Sequence, residues 1–158
     1  MFKKQAKKIR VLFVDEKNDT LSQLAEYFTN KLYGVDYEAY SAGPEHDLID
    51  CDMISVMYRA GEDMRRQVSK DFKDRNFLRD DEDYDYVIYF SQSVFDAWSS
   101  RTPWKGKQML VNLGSVKDFV ATDDVELDQC YEKLIGCVSD WVKTNLEDPE
   151  KLGHLVSA

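Results

Sequence analysis

The sequence predicts an α/β protein: a three-layer α/β/α sandwich around a four-stranded parallel sheet. Three observations carry this reading. Short apolar, β-branched runs alternate with stretches whose apolar residues recur at helical spacing. The connections are short, which for parallel strands means right-handed crossovers and helices on both faces. The 158 residues, 43% of them hydrophobic, are enough for one core. No internal repeat or Pro/Gly-rich linker breaks the chain. We therefore divide it into a basic lead-in (1–8), an α/β domain (9–146) and a C-terminal tail (147–158) with little pattern, expected to fray.

Ile9 to Val14 reads as a strand buried on both faces. Leu21, Leu24, Ala25, Phe28 and Leu32 follow at helical spacing, behind Thr20 as N-cap. Tyr37 to Ser41 is a second strand, ended by the turn pair Gly43-Pro44. A helix over Leu48 to Ala60 places Ile49, Met53, Val56, Met57 and Ala60 on one face and stops at Gly61. Residues 62–83 are highly charged and show neither period. Tyr84 to Phe90 is the third strand, Ser93 to Trp98 a short helix, and Gln108 to Leu113 the fourth strand. In the last helix Leu127, Cys130, Tyr131, Leu134, Val138, Trp141 and Val142 form one apolar stripe. Cys130 and Cys137 are then expected on one face as buried thiols.

Thirty acidic against 21 basic residues leave a formal charge of −9. That balance argues against nucleic acid as a partner, since phosphate backbones select basic faces. No apolar run approaches the roughly 18–20 residues of a membrane span. Lys3, Lys4, Lys7, Lys8 and Arg10 precede an apolar run of only Val11 to Val14, too short for a secretory signal. Three cysteines, an odd number without paired spacing, point to a reducing, cytoplasmic setting.

In parallel sheets ligands bind beyond the carboxyl ends of the strands. The loop after the first strand is therefore the first candidate site, a ligand-binding loop of Asp15, Glu16, Lys17, Asn18, Asp19, Thr20, Leu21 and Ser22. Residues 11–28 resemble the signature of low-molecular-weight protein tyrosine phosphatases and the related thioredoxin-coupled arsenate reductases. That signature is an apolar strand followed by Cys-x-x-Asn-x-x-Arg-Ser-x-x-Ala-Glu and an aromatic. Asn18, Ser22, Ala25, Glu26 and Phe28 fall on it. Ser41-Ala42-Gly43 matches the family's Ser-Ala-Gly, and Gly61, Asp63, Ser69, Lys70 and Phe72 resemble its next segment. The resemblance runs from residue 9 to about 145 and implies a low-molecular-weight phosphatase-like fold.

Two departures fall on the chemistry. The family's nucleophilic Cys corresponds to Asp15, and its phosphate-gripping Arg to Leu21. Phosphoryl or arsenate chemistry needs an activated thiolate and a guanidinium beside the helix amides. Asp15, Glu16 and Asp19 place carboxylates there instead, opposed by Lys17. The sequence thus reads as a catalytically inactive, phosphatase-like binding or regulatory domain, with Asn18 and Ser22 kept as loop scaffold. No cofactor is expected; the partner is an unidentified protein or small molecule. A second reading is a hydrolase of the same type using Asp15 and Asp118, the latter near the position of the family's general acid but without the following Pro. Asp15, Glu16 and Asp19 could then hold a divalent metal, since hard cations favour carboxylates. A third is a receiver-like signalling domain, suggested by the acidic pair Asp15-Glu16 after the strand, although Phe90 and Ser91 stand where its phosphate-accepting Asp belongs. Asp15 also has a plainer role open to it, as a cap for loop amides.

Asp80 to Asp83 read as a solvated acidic turn or a docking patch for a basic partner. His46 and His154 are isolated and read as surface residues. Trp98 and Trp104, flanking a Ser-Ser-Arg-Thr-Pro loop, read as core anchors or an exposed aromatic lip.

Overall fold

The computed structural model describes residues 7–79, 81, 83–100 and 104–157. At its centre β1 (Ile9–Val14) pairs in parallel with β2 (Tyr37–Ala42) on one side and β3 (Asp83–Tyr89) on the other. β4 (Lys105–Leu110) completes the parallel order β2-β1-β3-β4. Val11 to Val14 are fully buried, as a strand covered on both faces must be. Val11, Phe13 and Ile88 point into one core with α1 (Leu21–Tyr33), α2 (Cys51–Arg59), α4 (Asp124–Leu146) and α5 (Pro149–Ser157). Leu12, Val14, Val87 and Tyr89 point into the other, with α3 (Gln92–Trp98), Leu78 and Trp104. The three-layer α/β/α architecture is thus present, with most helices on one face.

Several boundaries and burials differ from the sequence reading. α2 begins at Cys51 because Asp50 caps it, its Oδ1 accepting from the amides of Asp52 and Met53 at 3.0 and 3.3 Å. Leu48 is left outside the helix and exposed, and Ala60 is exposed as well. Thr20 occupies the N-cap of α1 but makes no side-chain capping bond. β4 lies three residues earlier than its apolar run suggests, so that Asn112 and Gly114 fall in the loop beyond it. In α4 the buried positions are Tyr131, Leu134, Val138, Val142 and Leu146. This stripe turns the cysteines to its margin: Cys130 is half-buried and Cys137 exposed, not two buried thiols. The tail forms α5, with Pro149 in the first turn, where its missing N–H costs nothing, and Leu152 fully buried.

Trp104 is buried and Trp98 packs with it around Phe72, at ring-centroid distances of 4.4 and 5.0 Å. Both are core anchors rather than a lip. Asp81 pairs with Arg79 at 2.7 Å, and Arg10 lies 3.6 Å from Asp81. The acidic turn is therefore partly neutralised by its own chain. The other parts of these readings (residues 1–6 of the lead-in, Asp80, Glu82 and Arg101 to Pro103) lie outside the described residues. Among those described, no helix is long and apolar enough to cross a membrane.

Candidate functional site

The loop from Asp15 to Thr20 carries the chain from the buried end of β1 into α1. Its pivot is Asn18, fully buried with φ +51°, the left-handed region that Asn tolerates better than most residues. The Asn18 side chain donates to Ser22 Oγ at 2.8 Å and accepts from Gln23 Nε2 at 2.7 Å and the Lys70 amide at 2.8 Å. Asn18 and Ser22 are thus the scaffold that the sequence suggested. Gly43 lets β2 approach this loop: a Cβ there would lie 2.6 Å from the Asp15 carbonyl oxygen and 3.0 Å from the Asn18 nitrogen.

The charged stretch with no readable period supplies the other half of the clamp. Gly43 and Asp71 form a parallel bridge that brings residues 68–71 against the loop. Gln23 Nε2 donates to the Val68 carbonyl at 2.9 Å, and Ser69 Oγ to the Lys17 carbonyl at 3.0 Å. Lys70, only 4% exposed, donates to the Val68 carbonyl at 2.8 Å and pairs with Glu26 at 3.4 Å. Periodicity could not reveal this buried pair. The only signal was that Glu26 and the Ser69-Lys70 dipeptide both fall on the resemblance.

Asp15 is buried, and its Oδ2 accepts from the Ser22 amide in the first turn of α1 at 2.9 Å. The capping role open to it in the sequence is therefore the one its geometry serves. Burial pushes its carboxyl above the ordinary range, against hydrogen bonds from loop amides that lower it. Leu21 is buried in the helical-face core. Glu16 turns to Lys117, which donates to it at 2.8 Å, and Lys17 Nζ lies 3.9 Å from Asp47. Among the described residues no group of three His, Cys, Asp or Glu side chains could hold a metal ion, so Asp15, Glu16 and Asp19 do not form a ready-made ligand set.

These residues wall a cavity of about 540 Å³ beyond the carboxyl ends of β1, β3 and β4, where a parallel sheet is expected to bind ligands. Phe90 to Ser93 form its second wall, and the loop from Asn112 to Asp118 its third. Asp118 ends a 3₁₀ turn in that loop, so the fold does bring it into one cavity with Asp15. None of the three free cysteines lines it. Asp50, which the sequence reading did not single out, does. Its Oδ2 accepts from the Tyr131 hydroxyl at 2.6 Å.

Solved structures resemble this chain over most of its length. A low-molecular-weight protein tyrosine phosphatase from T. tengcongensis superposes with a TM-score of 0.60 at 22% identity, covering 87% of this chain and 99% of the other. The fold is that of the low-molecular-weight tyrosine phosphatases and arsenate reductases. An arsenate reductase in the phosphate-binding state gives 0.59 at 24% identity, with 86% and 95% covered. Vibrio vulnificus Wzb in complex with benzylphosphonate gives 0.61 at 18% identity, with 87% and 99% covered. Neither a protein-family model nor a curated protein matches the sequence.

Within this phosphatase-like fold the loop holds a carboxyl shifted well above its ordinary range. Burial, then the charges of Asp15, Asp50 and Asp47, push the half-buried Asp19 carboxyl from its ordinary 3.8 up to about 6. A carboxyl with a raised folded pKa binds more protons folded than unfolded between those values. Stability therefore falls as pH rises from about 4 to about 6. Asp19→Asn removes the charge and is expected to stabilise the protein at pH 7 by roughly 1 kcal/mol, a figure discounted for solvent screening. Thermal melts at pH 7 and below pH 4 check this: the gain should vanish in acid, where the wild-type carboxyl is protonated in both states.

Proposed function

We propose that this protein is a catalytically inactive member of the phosphatase-like fold that uses the cavity at its strand ends to bind a partner or ligand other than a phosphate monoester. One observation supports the reading above others: at the two positions where the resemblance places nucleophile and guanidinium stand an Asp15 carboxylate committed to the Ser22 amide and a buried Leu21. A carboxylate engaged with a helix amide is a poor nucleophile, and an alkyl side chain offers no donor to a developing oxyanion. Loss of one such donor typically slows a reaction about 10²–10³-fold, and here the thiolate is missing as well. The presence of Asp118 and Asp15 in one cavity favours a second reading, a hydrolase using both carboxylates with or without a divalent metal.

Purified protein incubated with an aryl phosphate, or with arsenate and a thiol donor, is expected to give no turnover above buffer. Clear turnover that disappears in Asp15→Ala or Asp118→Ala would overturn the proposal in favour of the hydrolase. Melting in the presence of magnesium, manganese or calcium separates the metal-assisted form, because a ligand that binds only the folded state raises Tm.

A further inference from the structure

We infer that the loop between α2 and β3 docks an acidic stretch of a partner protein. The partner's carboxylates meet Lys73 and Arg75, and an apolar side chain beside them meets Phe77. The surface shares no residue with the cavity at the strand ends, so the inference is independent of the reading above. Residues 65–79 carry six basic against two acidic side chains, in a chain whose formal charge is −9. Two shallow grooves meet there at Asn76, which lines both. The first, of about 410 Å³, is bounded by His46, Lys73 and Arg75, and the second, of about 430 Å³, by Tyr40 and Phe77.

The cations of the first groove are unpaired in a protein rich in carboxylates. Arg10, Arg59, Arg65 and Arg79 each lie within 3.5 Å of a carboxylate. Lys73 and Arg75 make no ion pair among the described residues, although Asp71 and Asp74 line the same groove. Asp71 accepts from the Lys73 amide at 2.9 Å and lies 2.7 Å from His46 Nδ1. Asp74 accepts from the amides of Asn76 and Phe77 at 2.9 and 2.7 Å. Both carboxylates thus serve the turns that shape the loop, while Lys73 and Arg75 stay exposed. The acidic turn beyond is engaged as well: Asp81 pairs with Arg79, and Asp83 lies 3.9 Å from Arg10. An ammonium and a guanidinium held this way offer charge-assisted donors to incoming carboxylates, the guanidinium two in parallel.

The second groove has the opposite character. Arg79 is neutralised there by Asp81 at 2.7 Å, which leaves half-buried Tyr40 and 52%-exposed Phe77 as its apolar surface. Aromatic surface beside two unpaired cations fits a segment that mixes Asp or Glu with an apolar residue. Nucleic acid is the less favoured occupant. Its run of phosphates would extend past the patch along a chain of net charge −9. A short peptide meets only the local charge, since more distant charges are screened beyond about 8 Å.

The test is an amide chemical-shift titration of the isotope-labelled full chain with three probes. These are acetyl-Glu-Glu-Phe-Glu-Glu amide, the same peptide with Ala for Phe, and a ten-nucleotide oligothymidylate. The Phe peptide is expected to move the amides of residues 73–77 saturably, and less at high salt. Its affinity should fall about tenfold when Lys73→Gln and Arg75→Gln are combined. Phe77→Ala, and the Ala peptide with wild type, should each bind about fivefold more weakly. The same spectra show whether each variant is folded. No saturable movement of residues 73–77 overturns the inference, as does undiminished affinity in the folded double charge variant. Equal affinity of the two peptides overturns it too, and tighter binding of the oligothymidylate would reassign the surface to nucleic acid.

Discussion

Asn18→Ala is expected to lower stability by about 3–5 kcal/mol, or roughly 10 °C in Tm for a chain of this length. Three hydrogen bonds of 2.7–2.8 Å disappear with the side chain. The Lys70 amide and Ser22 Oγ, both in buried bonds, lose these partners. Alanine must also hold φ +51°, where an ordinary side chain pays about 1–2 kcal/mol. Asn18→Gly separates the two causes, since glycine relieves the backbone but restores no bond. Chemical denaturation of both variants should show Asn18→Gly recovering about 1 kcal/mol. Full recovery would mean that the hydrogen bonds contribute nothing and that the loop is held by backbone shape alone.

Lys70→Met should cost a similar amount at neutral pH, about 3–5 kcal/mol, because it leaves the Glu26 carboxylate buried without its cation. Burial raises the Glu26 pKa, and Lys70 is the main influence that lowers it. Removing Lys70 therefore leaves a carboxyl whose folded pKa lies further above its unfolded value. Such a group binds a proton more readily in the folded state, so stability recovers as pH falls towards the ordinary carboxyl range near 4.5. Unfolding measured at pH 7 and pH 5 is expected to show a smaller penalty at the lower pH. An equal penalty at both would show that lost packing of the Lys70 stem, not the orphaned charge, dominates. Adding Glu26→Leu to Lys70→Met should return most of the stability, since replacing both ions of a buried pair is often near neutral.

Both predictions concern residues whose importance was unevenly legible. Asn18 could be read because its determinants are local: an Asn at a fixed distance after an apolar strand, with Ser22 one helical turn on. β1 and α1 were readable for the same reason, each showing a single period over its own length. Lys70 could not be read in this way. Residues 62–83 show little repeating apolar pattern in the sequence, and what holds residues 68–71 is contact with a distant loop, through the Gly43–Asp71 bridge and the bonds at Val68, Ser69 and Lys70. Helix starts suffered similarly. The apolar pattern around Leu48 continues beyond the helix, while Asp50 decides where it begins by capping amides. The cysteines of α4 were misjudged because they flank the buried stripe; a rotation of under half a turn separates its margin from its centre.

The sequence by itself determined the order of the four strands and of α1 to α4, though not α5, and the identity of the loop after β1. Through the resemblance it carries, it also sets Asp15 and Leu21 at the positions where that resemblance expects a thiol and a guanidinium. These are facts of local pattern and composition, which need no partner from elsewhere in the chain. Only the tertiary structure decided what the acidic residues do. Asp15, Glu16 and Asp19 look equivalent as letters, yet one caps a helix, one pairs with Lys117 and one is left half-buried among like charges. Desolvation and neighbouring charge set the chemistry of a carboxylate, and both are fixed by residues brought from distant parts of the chain.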